Sequence, residues 1–290
     1  MLYALLTGIT LLAFAANSLL CRTALGAGLI DPVSFSTLRL VSGAIVLVPL
    51  AWLTGKSRLE AKAKGSWGSS LALFIYAIAF SLAYVSLDAG MGALILFGAV
   101  QATMVGMGLK SGEQLHAVQW LGLISALGGL TYLFSPGIAA PDPVGVLLML
   151  SAGVAWGLYS VRGRRAAAPV SSTAANFLRA VPISAGASLL ALSFIHAQPA
   201  GIILAVVSGG LTSGLGYVLW YKALRGLTTT QAAVVQLLVP ILAAFGGIAF
   251  LGERLSVRLA ISSALILGGV AVAALSRASR RDTAALPSKT

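Results

Sequence analysis

Residues 214–256 read GLGYVLWYKALRGLTTTQAAVVQLLVPILAAFGGIAFLGERLS, and the rest of the chain can be interpreted relative to this segment. Two apolar segments flank a short polar turn, and the polar residues Glu253 and Arg254 follow the second segment. Residues 80–115 read FSLAYVSLDAGMGALILFGAVQATMVGMGLKSGEQL and repeat the same order, ending in Gly112 and Glu113. Apolar hairpins of this length are typical of proteins that cross a membrane several times.

Composition places the whole chain in the same class. Of the 290 residues, 58% are hydrophobic and 9% are charged, whereas soluble domains carry about 25% charged residues. Long apolar runs without alternation exclude a membrane β-barrel, so we expect an all-α polytopic membrane protein. The ten predicted spans are residues 3–20, 33–53, 67–87, 91–109, 117–134, 144–161, 173–195, 201–221, 231–251 and 257–275. Residues 277–290 are predicted to be a disordered tail.

Several function classes are excluded by residues that the sequence lacks. The net charge of +12 comes from Lys and Arg between apolar runs, which argues against nucleic-acid binding. A lone Cys21 cannot form an internal disulfide or a cysteine metal cluster, and there is no phosphate-binding G-x-x-x-x-G-K-[ST] motif. No carboxylate lies in the middle of a span, so a membrane-embedded enzyme is not expected, nor is a metal or another cofactor.

Four landmarks recur 140 residues apart. Arg22 and Arg162 are one pair; the others are Leu38-Arg39 with Leu178-Arg179, Gly112-Glu113 with Gly252-Glu253, and Gly128-Gly129 with Gly268-Gly269. The register slips by about three residues at the third span. Each repeat, 1–137 and 138–276, then holds five spans, and an odd number of spans predicts that the two repeats are inverted in the membrane.

Basic residues predict the orientation. Nearly all Lys and Arg outside the spans fall on the side of the N-terminus, and the other side carries only Arg22, Arg254 and Arg258. By the positive-inside rule both termini are expected in the cytoplasm, in a bacterial inner membrane.

Two arginines fall about two turns inside predicted spans, where a buried charge costs about 2–3 kcal/mol unless it finds a partner. We predict structural pairs of Arg39 with Glu253 and of Arg179 with Glu113. Arg22 and Arg162 are competing partners for the same two acids, and arginines that reach the membrane surface alone remain an alternative.

Polar and aromatic side chains inside the spans predict a central cavity. Residues 76, 80 and 84 recur at helical spacing in the third span, and residues 217 and 221 do so in the eighth. Helix-to-helix contact and interfacial rings are the alternative for any single residue, but the set favours a solute site. The predicted substrate-binding residues are Asn17, Phe80, Tyr84, Phe97, Gln101, Trp156, Tyr159, Tyr217 and Gln236.

With these residues in place, the chain resembles a known family. The five-span repeats, the Leu-Arg pairs and LLVPILAAFGGIAFLGERLS are similar to the EamA repeats of the drug/metabolite transporter superfamily, and most similar to the YddG-type bacterial amino-acid exporters. The resemblance implies ten helices around a cavity lined by spans 1, 3, 4, 6, 8 and 9. One departure is Gln101, which stands where the family carries a proline; its counterpart Pro240 is retained.

These observations together predict a transporter that exports amino acids, including aromatic ones, or similar metabolites by alternating access. The expected partners are a small-molecule substrate and the lipid bilayer, with the chain acting as a monomer. The missing mid-span acid favours downhill or weakly coupled transport. The alternatives are an exporter of drugs or other metabolites with the same fold, and a channel-like facilitator.

Overall fold

A computed structural model describes residues 2–54, 65–110, 112, 116–134, 140–164, 166, 168–227 and 235–284. These residues are almost entirely helical. Within these residues, Ile30 and Ala197 form an isolated antiparallel β-bridge. The architecture is therefore all-α, as predicted.

The helices fall at the positions of the predicted spans. In order they are α1 (Leu2–Gly26), α2 (Pro32–Thr54), α3 (Trp67–Ala83), α4 (Ala89–Lys110), α5 (Ala117–Phe134), α6 (Pro143–Arg164), α7 (Pro169–Leu190), α8 (Pro199–Val207), α9 (Gly216–Ala223), α10 (Leu238–Leu251) and α11 (Val257–Ala284). A π-helical segment, Ser208–Leu215, joins α8 to α9 into one continuous rod.

Five helical stretches in the described residues are long and apolar enough to cross a bilayer. They are Leu2–Gly26, Pro32–Leu53, Ala89–Lys110, Pro143–Gly163 and Pro199–Gly226. Shorter apolar helices occupy Trp67–Ala83, Ala117–Leu133, Leu238–Leu251 and Val257–Ala273. Large apolar side chains are exposed along these helices, including Trp52 on α2 and Phe250 on α10. The chain is a multi-pass membrane protein.

Local sequence explains where several helices begin. Proline, whose missing N–H costs nothing in the first helical turn, is the first residue of α2, α6, α7 and α8. Before α2, Asp31 Oδ1 accepts hydrogen bonds from the backbone N–H of Val33 and Ser34 at 3.0 and 2.8 Å. Before α3, Ser66 Oγ accepts from the N–H of Ser69 at 3.1 Å. These caps satisfy N–H groups that have no partner inside the helix.

Helix packing pairs the first half of the chain with the second. Helix α1 packs against the α8–α9 rod and α10, while α6 packs against α3 and α4. Helix α2 packs against α7 and the rod, α7 packs against α3, and α4 packs against α10. The α5–α11 contact is close because Gly122 and Gly269 face each other, and a Cβ on either would meet the carbonyl oxygen of the other.

The end of the chain differs from the prediction. Residues 277–284, predicted to be disordered, continue α11 to Ala284, and residues 285–290 lie outside the described part. The segment RASRRDTA is rich in Ala and Arg, which have high helix propensity, and its first proline comes only at Pro287. Charge alone therefore does not end this helix.

Candidate functional site

An aromatic cluster lies where α1, α3, α6 and α9 meet. The ring of Trp156 lies 4.8 Å from that of Tyr217 and 5.0 Å from that of Tyr76, centroid to centroid. Phe14 meets Tyr217 edge-on at 6.1 Å, and Phe80 lies 5.3 Å from Tyr76. Such pairs are favourable beyond the apolar area that they bury, so the cluster holds the centre of the bundle together.

Two small cavities adjoin this cluster and share Trp156 and Tyr217 as a common wall. The first has Asn17, Phe80 and Phe97 in its lining, and the second has Gln236. Each has room for about one or two water molecules. An amino acid is much larger, so the rings must move apart before such a solute can enter.

The second cavity lies toward one end of the bundle. Its lining includes Met104, Ser160 and Leu224, which are close to the last turns of α4, α6 and α9. The same end carries the basic residues Lys110 and Lys222 in the last turns of α4 and α9. We call it the basic end.

Three predicted cavity residues are buried beside the cavities without being part of their lining. Tyr84 donates its hydroxyl proton to the carbonyl of Ala89 at 3.2 Å. Tyr159 stacks on Trp156 at 5.6 Å, and its hydroxyl is buried without a hydrogen-bond partner. The Nε2 of Gln101 is likewise buried and unpartnered. Helix α4 runs unbroken through Gln101, as expected where proline is absent.

The π-helical segment Ser208–Leu215 supplies polar groups to the cavity wall. Asn17 Oδ1 accepts hydrogen bonds from Ser208 Oγ at 2.8 Å and Thr212 Oγ1 at 3.1 Å. Thr212 and Ser213 both line the first cavity. A π-helical turn is wider than an α-helical one and occurs frequently at functional sites. The segment therefore ties α1 to the rod at the depth of the aromatic cluster.

Arg39 is buried behind the first cavity, with 2% of the residue exposed. Its Nε donates to Ser213 Oγ and its Nη2 donates to Tyr76 OH, each at 3.0 Å. The guanidinium lies 5.0 Å from the ring of Tyr76 and 5.1 Å from that of Phe80, within the range of cation–π attraction. Its Nη1 is buried without a hydrogen-bond partner.

The predicted pair of Arg39 with Glu253 is wrong. The partner of Glu253 is the competing arginine, Arg22, whose Nε lies 3.5 Å from Glu253 Oε1. Arg22 Nη2 also lies 3.3 Å from Asp88 Oδ1. The reason is how deep each arginine lies in the bundle. Arg22 is in the last turns of α1, level with the end of α10, whereas Arg39 lies about 10 Å from the first residue of α2.

Glu253 connects the two halves at this end of the bundle. Both of its carboxylate oxygens lie within 3.0 Å of the backbone N of Ala89, at the start of α4. Gly252, whose φ of +66° is left-handed, ends α10 and turns the chain toward this position. Burial raises the pKa of Glu253 above its ordinary value, opposed by the Ala89 N–H and by Arg22. We call Arg22, Asp88 and Glu253 the clasp.

The second predicted pair, Arg179 with Glu113, cannot be assessed because Glu113 lies outside the described residues. Arg179 is half-buried beside Gly65, and its Nη1 is buried without a hydrogen-bond partner. Arg162 is exposed and donates to the carbonyl of Gly68 at 2.9 Å. Within the described residues, no group of three or more His, Cys, Asp or Glu side chains could hold a metal ion.

Six residues line the first cavity without being among the predicted substrate-binding residues: Phe14, Ser18, Tyr76, Leu96, Thr212 and Ser213. Tyr76 belongs to the predicted aromatic face of the third span, although only Phe80 and Tyr84 of that face are among the predicted binding residues. The segment SGGLTSGL carried a usable signal in its small polar residues, and in the structure it is π-helical and packs on α1 and α2.

Several known proteins are similar to this chain in sequence. The sequence profile of the EamA-like transporter family matches residues 143–275. An uncharacterised protein of Pseudomonas aeruginosa is 52% identical and aligns over 92% of this chain and 93% of its own length. An uncharacterised transporter of Bacillus subtilis, YoaV, is 24% identical over 83% of this chain and 86% of its own.

A more distant relative has a named substrate. The threonine/homoserine exporter RhtA of Escherichia coli is 32% identical over 147 residues, which are 48% of each chain. A solved crystal structure matches with a TM-score of 0.65 and 23% identity, covering 92% of this chain and 97% of that chain. At that identity the structural match concerns the fold alone.

Proposed function

The chain belongs to the EamA-like transporter family, and from this premise we propose that it exports amino acids, aromatic ones included, or similar small metabolites. A transporter needs no catalytic group, and the family assigns this chain to transport rather than to an enzymatic reaction. The substrate class is supported by the relative RhtA, which is named as a threonine/homoserine exporter.

The single observation that carries the substrate class is the pairing of aromatic and polar walls in the first cavity. Trp156, Tyr217 and Phe80 offer apolar surface, while Asn17 and Ser213 offer hydrogen bonds at the same depth. Apolar walls with a few placed polar groups are what small-molecule sites have in common. Amino acids have both an apolar body and polar ends, so they suit this lining.

We propose that residues 1–137 and 138–276 are inverted five-helix repeats that rock against each other. The packing supports this, because the main helix contacts are kept when each helix is exchanged with its counterpart: α3–α6 matches the contact of the rod with α1, and α4–α6 matches α1–α10. Gly112 and Gly252, at the ends of the corresponding helices α4 and α10, both have positive φ, +83° and +66°. Repeats of this kind expose one central site alternately to the two sides of a membrane.

In the proposed orientation the protein lies in a bacterial inner membrane with the basic end and both termini in the cytoplasm. Lys110, Arg162 and Lys222 then face the side where positive charge is favoured. The second cavity lies toward that side, whereas the clasp lies toward the periplasm. In this arrangement the solute enters the site from the cytoplasm, as expected for an exporter.

The test is counterflow in proteoliposomes that contain the purified protein. Vesicles loaded with an unlabelled amino acid should take up the labelled one transiently and saturably, and Trp156→Ala should reduce the rate at least tenfold. The matched control is Trp52→Ala, which removes a tryptophan from the exposed surface, where 82% of the residue is accessible. The control should transport normally.

Other outcomes separate the alternatives. Flux that rises linearly with concentration, without counterflow, would indicate a channel. Saturable transport of cationic drugs or nucleosides without amino-acid transport would replace the proposed substrate class while keeping the mechanism.

A further inference from the structure

The hydrogen bonds of Arg39 to Tyr76 and Ser213 determine whether these two hydroxyls can donate a hydrogen bond to a solute. Arginine can only donate, so Tyr76 and Ser213 must accept from it through their oxygens. Each hydroxyl therefore keeps its proton for a partner other than Arg39. Both residues line the first cavity. Two O–H donors are thus available to a solute there.

A third donor comes from α1. The carbonyl oxygen of Asn17 already accepts from Ser208 and shares the hydroxyl proton of Thr212 with the carbonyl oxygen of Ser208, and an amide oxygen has two lone pairs. The group that Asn17 can offer to a solute is its Nδ2–H. Polar side chains of this cavity therefore present mainly donors.

The charge behind these donors has no counter-ion within the described residues. Arg39 is almost fully buried, its Nη1 has no partner, and its other polar contacts are hydroxyls and ring faces. An arginine charge inside a membrane protein is costly unless it is paired or has a function. A negatively charged solute group in the adjacent cavity would supply the missing pair.

We propose that Arg39, Tyr76 and Ser213 form a carboxylate-binding pole in the first cavity. The two hydroxyls bind the carboxylate directly, and Arg39 behind them supplies the positive charge and holds both oxygens in the accepting role. As applied to amino acids, this inference rests on the proposed function. It goes further by assigning the α-carboxylate to one wall, which requires the transporter to prefer carboxylates over amides of equal size.

The experiment compares 3-phenylpropanoate with 3-phenylpropanamide, which have the same size and shape but differ in charge. Binding to purified protein in nanodiscs is measured by the fluorescence change of tryptophan, since Trp156 lines the cavity. The native chain should bind the carboxylate at least tenfold more tightly than the amide. Hydrogen bonds to charged groups are worth about 10- to 100-fold in affinity. Equal binding of the two would overturn the proposal.

Single substitutions test which residues cause the preference for the carboxylate over the amide. In the Arg39→Gln variant, the affinities for the carboxylate and the amide should differ by no more than about twofold. Tyr76→Phe and Ser213→Ala keep the arginine, and each should weaken carboxylate binding about tenfold while leaving amide binding nearly unchanged. The control is Arg179→Gln, the same change at the matching position of the other half, which should retain the full preference. If Arg39→Gln does not fold, the two hydroxyl variants decide, and unchanged carboxylate binding in both would overturn the proposal.

Counterflow on the same preparations separates this inference from the proposed function. A carboxylate preference without amino-acid counterflow would support the carboxylate pole and reject the proposed transport. Counterflow that accepts amino acids and their amides equally would support transport and reject the pole.

Discussion

The two ends of the bundle are held together by different chemistry. At the clasp, Arg22 contacts Asp88 and Glu253, and Glu253 also accepts from the backbone of Ala89. At the basic end the described contacts between helices include two single hydrogen bonds: the exposed Arg162 donates to the carbonyl of Gly68, and the Ser66 N–H donates to Oδ1 of the buried Asn176. Among the described residues, partly buried charges seal one end and single hydrogen bonds close the other.

The described contacts at the clasp should be more costly to break than those at the basic end. Removing one partner from a partly buried ion pair leaves the other charge without its counter-ion, whereas a single hydrogen bond near the surface is more readily replaced by water. Among the described residues, the contacts whose loss should be most destabilising therefore lie at the clasp.

The largest effect is expected for Glu253→Ala. It removes the acceptor of the Ala89 N–H and the partner of Arg22, so the clasp end should open more often. The reporter is Ser18→Cys, at a cavity position one turn from Arg22, in a chain that also carries Cys21→Ala. Its labelling by an impermeant maleimide from the clasp side should accelerate about 10- to 100-fold. The control, Arg162→Gln, should leave the rate unchanged, and equal rates in all three chains would show that the clasp does not gate the cavity.

Lowering the pH should favour the closed state of the clasp over the open state. The pKa of Glu253 is raised by burial when the clasp is closed and should return toward its ordinary value when the clasp opens. The closed state therefore binds the proton more tightly, so closure is favoured at pH below the ordinary glutamate pKa and this advantage is lost as pH rises through the raised pKa.

The measurement uses the labelling rate of the same Ser18→Cys reporter chain, divided by that of the matched chain carrying Glu253→Gln, so that the pH dependence of the thiol cancels. We expect this ratio to fall as the pH on the clasp side is lowered. A ratio that stays constant or rises toward acid would contradict the assignment of Glu253 as the titrating group.

The smallest effect is expected at the basic end. Asn176→Ala removes the acceptor of the Ser66 N–H and should destabilise the protein by about 1 kcal/mol, lowering the midpoint of thermal unfolding by about 2–4 °C. Labelling of the Ser18→Cys reporter should not change. A loss of stability as large as that of Glu253→Ala would mean that the two ends are equally strong.

Much of the fold could be predicted from the sequence because its signals are local. The lengths of the apolar runs predict the helices, and proline and capping residues predict several helix starts. The recurrence at 140 residues predicts which helices correspond. It pairs Gly112 with Gly252 as matching terminal glycines, and both have positive φ.

The partners of the arginines could not be predicted in the same way. Arg39 and Arg22 are both candidates for Glu253 in the sequence, and the choice depends on how deep each lies relative to the end of α10. Lipid and protein core are both apolar, so a membrane helix carries only a weak pattern to show which face points inward. The π-helical form of Ser208–Leu215, which packs on α1 and α2, is another feature that the sequence did not predict.

The amino-acid sequence alone was sufficient to predict an all-α membrane protein, the recurrence of landmarks at 140 residues, and many of the polar and aromatic residues inside the bundle. Apolar length and repetition are properties of the chain alone. Only the tertiary structure decided that Arg22 holds the clasp while Arg39 stays buried beside the cavity, without a counter-ion among the described residues. Those roles depend on the relative depth and rotation of packed helices, which become defined only when the helices meet.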